Sequence, residues 1–105
     1  MSQTVQDGAL IVKDPNAILV YVIDYDAARL AAGVEISTSA WFITGPDATL
    51  TSDEASILSG NRKTRIRLSA GTLGGVYTVT NRIVTNESPT QTIDASFRVR
   101  IEEQP

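Results

Sequence analysis

An all-β, immunoglobulin-like antiparallel β-sandwich of seven to eight short strands with one short helical turn is the fold this sequence predicts, on three observations. Ser and Thr supply 21 of the 105 residues, Thr alone 12, against only two Lys. Thr suits the pleated, half-buried surface of a strand, and long-chain helix formers are scarce. Turn residues recur at short intervals, at Asp14-Pro15, Gly33, Gly45-Pro46, Ser59-Gly60-Asn61, Gly71, Gly74-Gly75 and Ser88-Pro89. Between them run short stretches that alternate apolar and polar, the pattern of a sandwich or barrel. The length suits one domain, read as a sandwich over residues 9–102 preceded by a flexible arm over residues 1–8.

Each element follows in chain order. Ala9–Lys13 is a first strand closed by Asp14-Pro15. Ile18–Tyr25 is a second, whose odd positions Leu19, Tyr21, Ile23 and Tyr25 form one face while Val20 and Val22 make the other apolar too. Asp26 to Ala32 breaks the alternation. Asp26 is a sound helix N-cap, the alanines favour helix and Gly33 suits the position after the last turn, so one or two helical turns are expected with Leu30 plugging the core. Val34–Thr44 is a third strand. Ile36 and Trp41 differ in parity, so both face inward only if a bulge lies among Ser37, Thr38 and Ser39. A short strand is expected over Ala48–Thr51. Residues 52–63 read two ways, as a helical turn from Asp53-Glu54-Ala55 or as a strand fragment at Ile57-Leu58. Thr64–Leu68 places Ile66 and Leu68 on one side and Arg65 and Arg67 on the other. Val76–Thr85 sends Tyr77, Val79, Asn81 and Ile83 inward, and Thr92–Ile101 sends Ile93, Ala95, Phe97, Val99 and Ile101 inward. The expected core is therefore Tyr21, Ile23, Leu30, Trp41, Ile66, Leu68, Tyr77, Val79, Ile83, Phe97 and Val99. Tyr77, following the Gly71-Thr-Leu-Gly-Gly corner, sits where sandwiches place a tyrosine whose hydroxyl returns to upstream backbone.

Composition closes most routes to chemistry. With no His and no Cys, a Ser-His-Asp triad, a Cys nucleophile and a thiolate zinc site are all excluded. Asp24, Asp26, Asp47, Asp53 and Glu54 follow no calcium-loop spacing, so no metal site, cofactor or catalytic residue is expected. Net charge −3 argues against a nucleic-acid partner. The longest apolar run, Ile18 to Ile23, is far short of a membrane span, and no leader pattern opens the chain, so synthesis in the cytoplasm of the producing cell is expected.

The arginines carry the remaining information. Arg82, Arg98 and Arg100 alternate outward on two neighbouring strands, while Arg62, Arg65 and Arg67 with Lys63 form a second group. Bases dominate the second half of the chain, whereas Asp7, Asp14, Asp24, Asp26 and Glu35 dominate the first. Such a dipolar surface orients contacts between proteins, and seven Arg against two Lys is the residue choice of an interface. The six arginines Arg62, Arg65, Arg67, Arg82, Arg98 and Arg100 are the expected partner-contacting residues. The alternative is that they pair with cross-strand acids and merely solubilise a face.

From about Val12 to Glu102 the chain resembles small bacteriophage fibre–tail adaptors and related neck and tail components. The resemblance is carried by Lys13-Asp-Pro-Asn-Ala17, the Tyr21-x-Ile-Asp-Tyr25 strand with Leu30, and Thr38-Ser-Ala-Trp41. It continues through Leu68-Ser-Ala-Gly-Thr-Leu-Gly-Gly-Val-Tyr-Thr-Val-Thr-Asn-Arg-Ile83 and Phe97-Arg-Val-Arg100. It implies a non-enzymatic virion structural protein, present in several copies, that joins tail, neck or fibre components. A capsid-decorating or carbohydrate-binding immunoglobulin-like module is the alternative.

Overall fold

Eight strands in two packed sheets account for most of the residues described by the computed structural model, which are 2–25, 30–58 and 60–103. In chain order they are β1 (Ser2–Val5), β2 (Leu10–Lys13), β3 (Ile18–Asp24), β4 (Ile36–Thr44), β5 (Thr51–Ile57), β6 (Lys63–Ser69), β7 (Val76–Thr85) and β8 (Thr92–Ile101). The first sheet has the order β1-β3-β6-β5 and the second β2-β8-β7-β4. The inner strands pair antiparallel, whereas β1 runs parallel to β3 and β2 parallel to β8. Strands β3-β6-β5 opposed to β8-β7-β4 follow the arrangement of an immunoglobulin sandwich. The molecule is elongated, 45 × 25 × 21 Å.

The alternation in the sequence becomes the core. Tyr21, Ile23, Leu30, Ile66, Leu68, Tyr77, Val79, Ile83, Phe97 and Val99 are buried, together with Val5, Tyr25, Ile36, Leu50, Ala95 and Ile101. Tyr21 and Phe97 meet between the sheets with ring centroids 5.8 Å apart. Burying a side chain of this size contributes on the order of 1.5–3 kcal/mol, which is why the inward positions of β6, β7 and β8 hold the sheets together. Trp41 corrects the expected core. It packs against the cluster but stays half-buried, because β4 is an edge strand hydrogen-bonded to β7 on one side only.

Other expectations change as well. Residues 2–5, read as part of an arm, form β1 along the edge of β3, with Val5 only 4% exposed. The chain then passes to the other sheet through a turn at Gln6–Ala9. There Gly8 has φ +85°, its N–H donates to the Ser96 carbonyl at 2.7 Å, and Asp7 accepts the Ser96 N–H at 2.8 Å. Val22 faces outward yet is 7% exposed; it pairs in register with Thr4 of β1 and Arg65 of β6. The Asp26 end of the expected helical turn lies outside the described residues, and residues 30–35 form an irregular connection with Gly33 at φ +81°. The strand expected at Ala48–Thr51 begins only at Thr51 and continues to Ile57, with a register shift between Asp53 and Ser56 and Glu54 at φ +54°. In β4 the register shifts between Ile36 and Thr38, so Ser37 is the extra residue that lets Ile36 and Trp41 face the same way.

Three polar anchors sit among the apolar residues. Asn81 is fully buried; its carbonyl oxygen accepts the Tyr25 hydroxyl at 2.8 Å and the Thr64 hydroxyl at 2.7 Å, and its amide donates to Ser39 Oγ and the Ala40 carbonyl. One side chain thus ties β6, β4 and the residue that follows β3 to β7. Tyr77 closes the opposite end: its oxygen accepts the Thr72 N–H at 3.0 Å, as a tyrosine corner requires, and its hydroxyl donates to Asp47 at 2.6 Å. Lys13, 1% exposed, donates to the carbonyls of Asp14 at 2.9 Å and Ala70 at 2.7 Å. Burial pulls its pKa below 10.5 against the opposing pull of Asp14.

Candidate partner interface

Parity decides which residues of the second sheet look outward. Successive side chains point to opposite faces, so with Phe97 and Val99 inward, Ser96, Arg98 and Arg100 point out. Strand pairing then sets the rows of the outer face. Val12, Arg100 and Val76 form one row, Leu10, Arg98, Thr78 and Thr44 the next, then Ser96, Thr80 and Phe42, then Asp94, Arg82 and Ala40.

The composition of these rows is unusual for a solvated face. Among the described residues, six large apolar side chains are exposed: Leu10 at 43%, Val12 at 37%, Ile18 at 61%, Phe42 at 46%, Leu73 at 55% and Val76 at 43%. Four of them, Leu10, Val12, Phe42 and Val76, lie on this one face between the arginines. Scattered exposed apolar residues need no explanation, whereas a contiguous group rimmed by charge marks an interaction surface. A shallow depression of about 220 Å³ lies within it, lined by Gly8, Ala9, Thr78, Ser96, Phe97 and Arg98.

The arginines of this face differ in their commitments. Arg82 makes a two-pronged pair with Asp94, at 2.9 and 3.0 Å, and its guanidinium lies 5.3 Å from the centre of the Phe42 ring. Hydrogen bonding and charge from Arg82 hold the Asp94 carboxyl below the usual range. Arg100 pairs with Glu102. Arg98 is exposed, and its side chain has no hydrogen-bond or ion-pair partner among the described residues. Its five donors are unused, in a row flanked by Leu10 and Thr78.

The structure does not gather the six expected arginines into one patch. Arg65 and Arg67 lie on the outer face of the first sheet, on the opposite side of the sandwich. There Arg67 grips Asp53 at 2.8 and 2.7 Å, and hydrogen bonding to Arg67 lowers the Asp53 pKa. Arg65 Nε is buried without a hydrogen-bond partner among the described residues. Arg62 is structural: it donates to the carbonyls of Leu30, Ala31 and Val34 and so holds the connection before β4. Sequence reasoning missed the apolar half of the patch. The parity that put Arg98 and Arg100 outward also put Val76 and Phe42 outward, but only the pairing of β2 to β8 and β4 to β7 brings them beside the arginines.

Three of the acids weighed as cation ligands, Asp24, Asp47 and Asp53, are engaged by other groups, Asp24 by Lys63 at 3.9 Å. Asp47 Oδ1 accepts the Thr49 N–H at 3.1 Å, the Thr49 hydroxyl at 2.7 Å and the Tyr77 hydroxyl, and its Oδ2 accepts the Thr72 hydroxyl at 2.8 Å. These donors, Tyr77 first, hold its carboxyl far below the usual carboxylate range. Asp53 belongs to Arg67, and Asp26 lies outside the described residues.

A family model described as "Podophage GP4 fiber-tail adaptor protein gp77" matches residues 13–100. No curated protein sequence matches the chain significantly. Among solved structures, the chain is similar to the cysteine protease inhibitor EhICP2 from Entamoeba histolytica. The two share 14% identity with a TM-score of 0.59, over 96% of this chain and 95% of that one. At that identity the likeness is one of fold alone.

Proposed function

The chain belongs to the podophage GP4 fibre–tail adaptor family, and from its role as a phage tail structural protein we propose that it joins virion components through the outer face of the β2-β8-β7-β4 sheet. It does so as a non-enzymatic part, in several copies, with other tail, neck or fibre proteins as its partners. The observation that carries this reading is the placement of Leu10, Val12, Phe42 and Val76, all exposed, on the same face as Arg82, Arg98 and Arg100.

Each half of the patch has a physical task. Apolar surface supplies the non-directional drive to associate, about 25 cal/mol for each Å² removed from water. Guanidinium groups supply direction, since their planar donors match carboxylates on a partner. Arg98, with unused donors, is the group expected to engage an acidic side chain across the interface. Arg82 and Arg100 keep their acids at the rim.

The test is particle assembly with the double variant Arg98→Glu, Arg100→Glu. Both side chains are exposed, so folding stability should shift by no more than ~0.5 kcal/mol. The variant is expected to fold yet fail to enter tails. Normal incorporation would remove this face from the interface, and a polypeptide that fractionates with heads instead of tails would overturn the adaptor role itself.

A further inference from the structure

Four strands border the two sheets, and three of them are protected against further pairing. β1 and β2 are only four residues long. β5 carries Asp53 and Glu54 and is interrupted by its register shift. Shortness, charge and bulges are the usual means by which proteins blunt an open edge. β4 has none of these along Thr38–Thr44. It is nine residues long, Ile-Ser-Thr-Ser-Ala-Trp-Phe-Ile-Thr, without charge, Pro or Gly. Its inward side chains are also under-covered: Ser39, Trp41 and Ile43 remain half-buried, whereas Tyr77, Val79, Asn81 and Ile83 on neighbouring β7 are fully buried. Trp41 Nε1 is buried without a hydrogen-bond partner among the described residues. Beside this edge lies a hollow of about 270 Å³, lined by Ser39, Ala55, Ser56 and Ile57.

We propose that the free edge of β4 pairs with β4 of a second copy of this chain, antiparallel about a two-fold axis midway between the two Ala40 residues. The strand's own sequence selects that occupant. Because it carries no charge, it can face itself without like-charge repulsion, and the nearest outward charge, Arg82 beside Ala40, is neutralised by Asp94. Centred on Ala40, the pairing sets Thr38 of one copy opposite Phe42 of the other, twice over. Aromatic–β-branched pairs of this kind stabilise antiparallel strands, and each would cover an exposed Phe42. On the inner side Ser39 would face Trp41 of the other copy. The bulge at Ser37 stays outside this stretch. The product is a continuous eight-stranded sheet whose two arginine-bearing faces point the same way, which makes one adaptor contact into two. One strand pair buries less than the ~1,200 Å² of a standard interface, so association should depend on concentration.

Sedimentation of the purified full-length chain tests the pairing, with a single-cysteine probe beside it. Wild type is expected to shift from monomer to dimer as concentration rises. Ala40→Lys, which sets two ammonium groups against each other across the axis, should stay monomeric with an unchanged circular dichroism spectrum. The chain has no Cys, so Ala40→Cys introduces one thiol. Directly opposed strand residues lie about 4.5–5.5 Å apart between Cα atoms, within disulfide reach. Mild oxidation should therefore link Ala40→Cys into a covalent dimer and leave Asn16→Cys, in the β2–β3 turn, unlinked. A wild type that stays monomeric throughout, or an Ala40→Cys that links no faster than Asn16→Cys, overturns the pairing. The Arg98→Glu, Arg100→Glu variant should still dimerise, so failure of the adaptor face and failure of this edge are separately visible.

Discussion

Asn81 shows how one buried side chain can hold a sandwich in register. Its amide meets four partners, on β4, on β6 and just after β3, and an unsatisfied buried partner costs about 1–3 kcal/mol. Asn81→Leu should therefore lower unfolding free energy by about 2–4 kcal/mol in a denaturant titration. Adding Tyr25→Phe and Thr64→Val, which remove the stranded hydroxyls, should restore part of that loss. Gly45 makes a different point, since a Cβ there would stand 2.4 Å from Tyr77 Cδ2, a ring fixed in the core. Gly45→Ala should cost about 1–3 kcal/mol through overpacking, read as a lowered melting temperature. Tyr21 supplies the pH dependence, because burial pushes its pKa from 10 up to about 12. With the folded value above the unfolded one, its contribution is complete below pH 10 and is lost as pH rises toward about 12. Lys13 works in the opposite sense, its lowered pKa making stability rise with pH up to about 10.5. Comparing wild type with Tyr21→Phe cancels the lysine, and the variant should show a shallower alkaline fall in melting temperature.

Among the elements, β1 and β4 are where sequence and structure part. β1 is four residues of Ser, Gln, Thr and Val, too short and too polar for periodicity to detect. Its place is fixed by Val5 filling a slot beside Ile23. Val5→Ala removes two methyl groups, and about 1–2 kcal/mol of stability should go with them, with faster amide exchange along β3 as the local sign. β4 was legible as a strand, bulge included, since the parity of Ile36 against Trp41 requires an extra residue between them. Its position at a sheet edge was not legible, and that position leaves Trp41 half-covered. Trp41→Ala should accordingly cost less than the ~3–5 kcal/mol of a fully buried tryptophan, measured by denaturant midpoint. β5 was the least legible element: its exposed, polar Thr-Ser-Asp-Glu-Ala-Ser has no apolar face to betray a strand, and pairing with β6 alone makes it one.

At the scale of the whole molecule, charge and apolar surface are distributed unequally over the two outer faces. The first sheet keeps Arg67 locked to Asp53, whereas on the second Arg98 has no partner among the described residues and stands amid exposed Leu10, Val12 and Val76. If that face meets acidic partners, its attachment weakens with ionic strength, because screening acts over about 8 Å at physiological salt. Binding of the isolated chain to adaptor-depleted particles should fall between low and high salt. Arg98→Gln should flatten that dependence, with the melting temperature unmoved. A salt-independent attachment would mean that the apolar residues alone carry the contact.

The sequence by itself determined the two-layered β architecture, the inward residues of β3, β6, β7 and β8, the bulge in β4 and the family resemblance. These are properties of alternation and turn chemistry, which act between residues close in the chain. Only the tertiary structure decided that Arg62 ties down a connecting segment, that Arg65 and Arg67 lie on the other face from Arg98 and Arg100, and that exposed apolar residues stand among the latter. Those outcomes depend on which strands become neighbours and which are left at an edge. Alternation says whether a side chain points in or out of its own sheet, but not what stands beside it there.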